Sequence, residues 1–136
     1  TNNTVTIVGA GDCTLVASQG GNDGYNPAPE VSRSFNVAKA NQTINFAALS
    51  NRPLGSAPFP VSATASSGLA VTFASMTPST CTVSGATVTL IAEGVCTIRA
   101  QQGGNANYNA APNVDRSFTI QAAGSGFSLF LPLIDR

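Results

Sequence analysis

The chain contains one stretch of sequence twice. Residues 4–40 align without a gap on residues 87–123 at a constant offset of 83, and 20 of the 37 aligned positions are identical. A fixed period of this kind is typical of modular arrays, in which each copy is one structural unit. We therefore expect residues 1–40 to be the back half of one module, residues 41–123 to be a complete module, and residues 124–136 to be a linker with an apolar tail.

The complete module carries many strand signals and almost no helix signals. Short runs rich in Val, Ile, Thr and Phe are separated by Gly, Pro, Asn and Ser, which is typical of β-strands joined by turns. Apolar residues alternate along Gln42–Ala47, Phe59–Ala65 and Leu69–Phe73. Seven such strands in about 80 residues predict an all-β fold, a two-sheet β-sandwich of immunoglobulin type.

The second half of this module predicts a hairpin and two longer strands. Gly85-Ala86 separates two strand-like runs and offers a glycine where a two-residue turn needs positive φ. The strand after Gly94 places Cys96, Ile98 and Ala100 on one face. In the strand Val114–Ile120, Arg116 interrupts the apolar face, so we expect its guanidinium to escape at an edge or to meet a carboxylate.

The three cysteines follow the repeat. Cys81 and Cys96 lie in the complete module, and Cys13 is the counterpart of Cys96. The counterpart of Cys81 would precede Thr1, so one disulfide per module predicts a Cys81–Cys96 bond and leaves Cys13 unpaired or paired with a cysteine outside this sequence. A structural disulfide indicates an oxidising, secreted or cell-surface location. The alternatives are three unrelated buried thiols or zinc, which two thiols per module and no histidine disfavour.

Charge and composition exclude several functions. Six basic and six acidic residues give no net charge, and hence no field that attracts phosphate backbones. No apolar run approaches the ~18 residues of a membrane helix. Without histidine and with Lys39 as the single lysine, general acid–base chemistry has few candidate groups. We predict no nucleic acid partner, no membrane span, no enzyme activity, no cofactor and no metal site.

One loop is repeated with the module. Gly20-Gly21-Asn22 and Gly103-Gly104-Asn105 are each followed by a tyrosine, Tyr25 and Tyr108. The glycines could form a ligand loop, but their recurrence favours a structural turn that needs positive φ. The tyrosine rings could stack on sugar, or they could cap the sandwich in the manner of a tyrosine corner.

The tail is the most apolar stretch. Its apolar residues, which we predict to contact another subunit, are Phe127, Leu129, Leu131, Leu133 and Ile134. It could also fold back as an edge strand of its own module or serve as a sorting segment. An apolar strand at one end and an incomplete sandwich at the other are the two parts of strand addition between subunits, and a low net charge removes one barrier to self-association.

The repeated motifs resemble the bacterial immunoglobulin-like repeats of secreted and cell-surface proteins. The resemblance rests on Cys-Thr-Ile/Leu, Gly-Gly-Asn, the tyrosine and Arg-Ser-Phe, and covers the chain except its tail. It implies a spacer, stalk, adhesive or fibre-building unit with no shared catalytic residues. We therefore expect an extracellular structural protein that self-associates into a filament or surface assembly. The alternatives are an adhesin that binds a glycan or a host protein, and a spacer in a larger secreted enzyme.

Overall fold

The structure, a computed structural model, describes residues 3–123. All of the regular secondary structure in that range is β-strand, so the all-β prediction is confirmed. The strands are β1 Gly11–Gln19, β2 Ala28–Val37, β3 Ile44–Asn45, β4 Arg52–Pro53, β5 Phe59–Pro60, β6 Thr64–Ala65, β7 Thr72–Ser75, β8 Cys81–Ser84, β9 Thr87–Leu90, β10 Gly94–Gln101 and β11 Val114–Gln121.

The described chain divides into two compact units. The first unit contains residues 3–41 and the loop Gly104–Asn109; the second contains residues 42–103 and 110–123. In the second unit the strand orders are β4-β11-β10-β7, β5-β9-β8 and β3-β6. Its neighbouring strands are antiparallel, except that β4 and β11 are parallel.

One core holds the sheets of the second unit together. Its buried side chains come from all three sheets and from the segments between them: Ile44, Phe46, Phe59, Val61, Cys81, Val88, Cys96, Ile98, Ala100, Ala111, Phe118 and Ile120. Within it, the Phe59 and Phe118 rings meet edge to face with centroids 5.7 Å apart. A disulfide joins Cys81 on β8 to Cys96 on β10, with a Cα–Cα distance of 5.8 Å. The bond therefore links the three-stranded sheet to the four-stranded one.

The predicted hairpin is present, whereas one predicted strand is broken in two. β8 and β9 pair directly around Gly85, whose φ is 60°. Along Phe59–Ala65, in contrast, β5 pairs with β9 and β6 pairs with β3. Pro60 has no N–H to donate and limits the ladder at this point. The apolar alternation survives, because Phe59, Val61 and Ala65 are all buried.

Arg116 meets backbone carbonyls rather than a carboxylate. Its Nε donates to the carbonyl oxygen of Phe46 at 2.7 Å, and its Nη1 donates to the carbonyl oxygen of Asp115 at 3.2 Å. Backbone carbonyls are good acceptors for a half-buried guanidinium and take the place of the expected carboxylate. The segment after β3, which contains Phe46, thus supplies a polar contact as well as a core side chain.

The first unit is built on a single antiparallel pair, β1 and β2. Its connecting segments are tied to the loop Gly104–Asn109. The Asn107 side-chain oxygen accepts from the Ala10 N–H at 2.9 Å, and its carbonyl oxygen accepts from the Ala40 N–H at 2.9 Å. These bonds fix the segments that flank the pair, before β1 and after β2.

Removal of the disulfide tests how far the core depends on it. A chain with Cys81→Ala and Cys96→Ala should lose about 3 kcal/mol of unfolding free energy, the value expected for a closed loop of this size. Chemical denaturation followed by circular dichroism measures the loss. The matched control, Cys13→Ala, should keep the denaturation midpoint of the unaltered chain. Equal midpoints for all three chains would contradict this role.

Candidate interaction surface

The two copies of the repeat form the same strand pair. Cys13 lies opposite Phe35 in the β1–β2 pair, and their counterparts Cys96 and Phe118 lie opposite each other in the β10–β11 pair. The agreement extends to side chains, since the Thr14 and Ser34 hydroxyls and those of Thr97 and Ser117 are each 2.7 Å apart. Because the backbone pairing is common to both, any difference in burial reflects what packs against each pair.

The Gly-Gly-Asn loop also has the same geometry in both copies. Gly21 and Gly104 have φ of 75° and 79°. The Asn22 side-chain oxygen accepts from the Gly24 and Tyr25 N–H groups at 2.8 and 3.0 Å. The counterpart, Asn105, accepts from the N–H groups two and three residues on at the same distances. In each turn, N–H groups that could bind an anion donate to the asparagine side chain instead.

Burial differs sharply on one face of the strand pair. In the second unit Ile98 is 0 % exposed and Phe118 3 % exposed, whereas their counterparts Leu15 and Phe35 are 41 % and 42 % exposed. Burial of one such side chain is worth roughly 1.5–3 kcal/mol. We call this surface the bare face, defined by Cys13, Leu15, Val31, Phe35 and Val37.

The segment before β1 differs in the same way. Thr4-Val5-Thr6 has the same sequence as Thr87-Val88-Thr89, which lies in β9, yet residues 4–7 form no strand. Val5 is 47 % exposed, whereas Val88 is 0 % exposed. β9 pairs with β8 and β5, which both precede it in the complete module. The sequence Thr-Val-Thr therefore depends on those partners to become a strand.

The opposite face of each pair is polar or open in both copies. On β10 and β11, Arg99 Nε and Nη2 donate to the two carboxylate oxygens of Asp115 at 2.8 and 3.0 Å. The hydrogen bond from Arg99 holds the pKa of Asp115 below its ordinary value. The counterparts on β1 and β2 are Val16 and Ser32, both exposed. Exposure on this face is thus normal for the repeat, while exposure on the other face is not.

Cys13 is the free cysteine of the described residues and lies on the bare face. It is half-buried, and Phe35 and Leu15 are its neighbours across and along the sheet. Its counterpart Cys96 is fully buried and bonded to Cys81. The thiol is therefore at the position where the complete module has its bond between sheets.

Arg33, the counterpart of Arg116, lies on the same face. Arg33 Nη1 donates to the Ser32 carbonyl oxygen at 2.9 Å, as Arg116 Nη1 does to Asp115. In the complete module the Nε atom also reaches Phe46, from the segment that packs over the sheet. The Arg33 guanidinium is thus a hydrogen-bond donor on the same side of the sheet as the apolar side chains of the bare face.

The sequence analysis did not single out the residues of the bare face, apart from Cys13. The signal that finds them is the offset of 83, which maps Leu15 on Ile98 and Phe35 on Phe118. The predicted subunit contacts Phe127, Leu129, Leu131, Leu133 and Ile134 lie outside the described residues.

The other candidate sites among the described residues have fewer groups that could bind a ligand. Within residues 3–123 no group of three or more metal-binding side chains is present, and no helix could cross a membrane. A shallow cavity of about 400 Å³ is lined by Gln19, Gly21, Asn22, Tyr25, Asn26 and Ala28. The Tyr25 ring is 79 % exposed there, whereas Tyr108 is half-buried.

Comparisons with protein-family models, with curated proteins and with solved structures found no match to this chain.

The two copies provide matched variants that test the burial difference. Phe118→Ala should lower the unfolding free energy of the second unit by about 3–5 kcal/mol, because it empties a closed core. In the isolated chain Phe35→Ala should cost less than about 1 kcal/mol, as for other exposed positions. Chemical denaturation of both variants gives the comparison. Similar losses would show that the Phe35 side is packed as tightly as the Phe118 side.

Proposed function

We propose that this chain is an extracellular structural protein, a tandem immunoglobulin-like repeat that acts as a subunit of a filament or cell-surface assembly. The observation that carries the proposal is the exposure of the bare face in the first unit, since the equivalent face in the second unit is packed. An apolar face of a two-stranded sheet is unstable in water, and three or more strands or a packed layer are needed to stabilise it. Such a surface is suited to holding polypeptides together rather than to catalysis.

The sandwich assignment rests on the connection between sheets in the second unit. Strands from separate sheets contribute to one core, and a disulfide bridges them as it does in many immunoglobulin-like domains. The equal register of β1–β2 and β10–β11 supports the reading of the chain as one partial and one complete module.

The chemistry of the core supports an extracellular location. The Cys81–Cys96 bond has both sulfurs fully buried, and structural disulfides of this kind persist in oxidising compartments. Charged residues are 9 % of the sequence, so the surface is formed largely by Thr, Ser, Asn and Gln. A neutral, polar surface does not oppose side-by-side association of copies.

Association between subunits would use the tail and an open strand edge. In the described residues β1 and β2 each leave one edge unpaired, and β7 and β8 end their sheets. An extended apolar segment can add to such an edge through backbone hydrogen bonds, with alternate side chains buried. Head-to-tail contacts of this kind do not close on themselves and generate fibres.

Deletion of residues 124–136 tests this function. The shortened chain should stay unassembled under conditions in which the full chain forms filaments, because the added strand is lost. Negative-stain microscopy and light scattering are the measurements. A chain with Leu129→Ser, Leu131→Ser and Leu133→Ser keeps the length and should also fail, while deletion of Asp135 and Arg136 alone should leave assembly intact. Filaments formed by the shortened chain would rule the proposal out.

A second candidate function is glycan binding, favoured by the exposed ring of Tyr25 beside its cavity. Exposed aromatic rings can stack on apolar faces of sugars. If this loop binds sugar, Tyr25→Ala should abolish retention of the chain on a glycan array, and Tyr108→Ala should not. Unchanged retention with Tyr25→Ala, or no retention of the unaltered chain, would rule out glycan binding at this loop. The structural function would then be the one remaining proposal.

A further inference from the structure

We propose that the bare face binds one specific partner: a polypeptide segment equivalent in sequence to the front half-module, residues 41–86. The inference rests on the proposed structural function and names the occupant of the same sheet. The inference is drawn from the complete module, where the equivalent face is covered and the residues that cover it are identified.

The covering segment in the complete module supplies apolar side chains that fit the back half. Phe59 packs on Phe118 with centroids 5.7 Å apart, and Phe46, Val61 and Cys81 are buried in the same core. All four precede residue 87 and so belong to the front half. Their counterparts would cover Phe35, Leu15 and Cys13, which the chain leaves half-exposed.

The donors that bond to the covering segment also have counterparts in the first unit. Front-half oxygen atoms accept from three donors on β10 and β11: the Phe46 carbonyl from Arg116 Nε, Thr77 Oγ1 from the Thr97 N–H, and Asn51 Oδ1 from the Thr119 N–H. The bond lengths are 2.7, 3.0 and 2.8 Å. The counterparts of these donors are Arg33 and the N–H groups of Thr14 and Asn36, so β1 and β2 carry the same set of donors.

The eight residues Phe127–Ile134 are too few to replace the several strands that cover β10 and β11 in the complete module. A segment of the length of a front half is therefore needed.

The turn of the complete module shows how such a segment can be joined to the face for a test. In the complete module the covering segment enters β9 at Thr87 through the two-residue turn Gly85-Ala86. Thr4 is the counterpart of Thr87, so a copy of residues 41–86 joined directly before Thr4 can reach the face through the same turn. A connected segment also has a much higher effective concentration than a free one.

The front half would also bond to Cys13. Its cysteine, the counterpart of Cys81, and Cys13 together lose two protons and two electrons as the sulfur–sulfur bond forms. One glutathione disulfide is reduced to two glutathione thiols in the same exchange. The oxidant is thus a small-molecule disulfide of the oxidising compartment.

An extended chain tests the inference. A second copy of residues 41–86 is placed directly before Thr4, and the protein is refolded with reduced and oxidised glutathione. Maleimide labelling should fall from one thiol per chain to none, since Cys13 is the free cysteine of the unextended form. Non-reducing peptide maps should link Cys13 to the added cysteine, and binding of a hydrophobic dye should decrease. Residues 4–7 should gain amide protection as they become a strand.

The matched control carries Phe46→Ser, Phe59→Ser and Val61→Ser in the added copy only. If packing directs the bond, Cys13 stays reactive in this control. A Cys13 that remains reactive in the extended chain, that links equally well in the control, or that links to a second Cys13 would overturn the inference. These outcomes are independent of filament formation, which the tail deletion reports.

Discussion

The structure depends on packing between the two halves of a module. A back half contributes two long strands, which present an apolar face, and a front half contributes short strands that would not be stable alone. Phe59 on Phe118 and the Cys81–Cys96 bond join the halves in the second unit. Where the same back half stands without that partner, Leu15 and Phe35 stay exposed and Cys13 stays a thiol.

The contrast between the copies shows what local sequence decides and what it does not. The pairing of Cys13 with Phe35 and the Asn22 turn are identical to their counterparts, so local sequence suffices for both. Thr-Val-Thr becomes a strand at residue 87 but not at residue 4, because its hydrogen-bond partners lie in the front half. Strand formation here is a tertiary effect rather than a propensity.

Much of this architecture could be read from the sequence. The alternation of Cys96, Ile98 and Ala100 predicts their burial, and Gly85 marks the hairpin. The acceptor of Arg116 could not be predicted, because the Phe46 carbonyl is a backbone group with no sequence signal. Side-chain patterns report which face is apolar, and they do not report which backbone atoms a neighbouring segment presents.

The most direct test of this account is the state of Cys13 in the native material. Alkylation of free thiols before digestion, followed by non-reducing mass spectrometry, shows whether Cys13 carries the alkyl group or a disulfide-linked peptide. The account predicts a linked peptide whose sequence resembles the segment around Cys81 and whose cysteine occupies the equivalent place in a front half. A fully alkylated Cys13 in native, assembled protein would contradict it, since the bare face would then have no such cover.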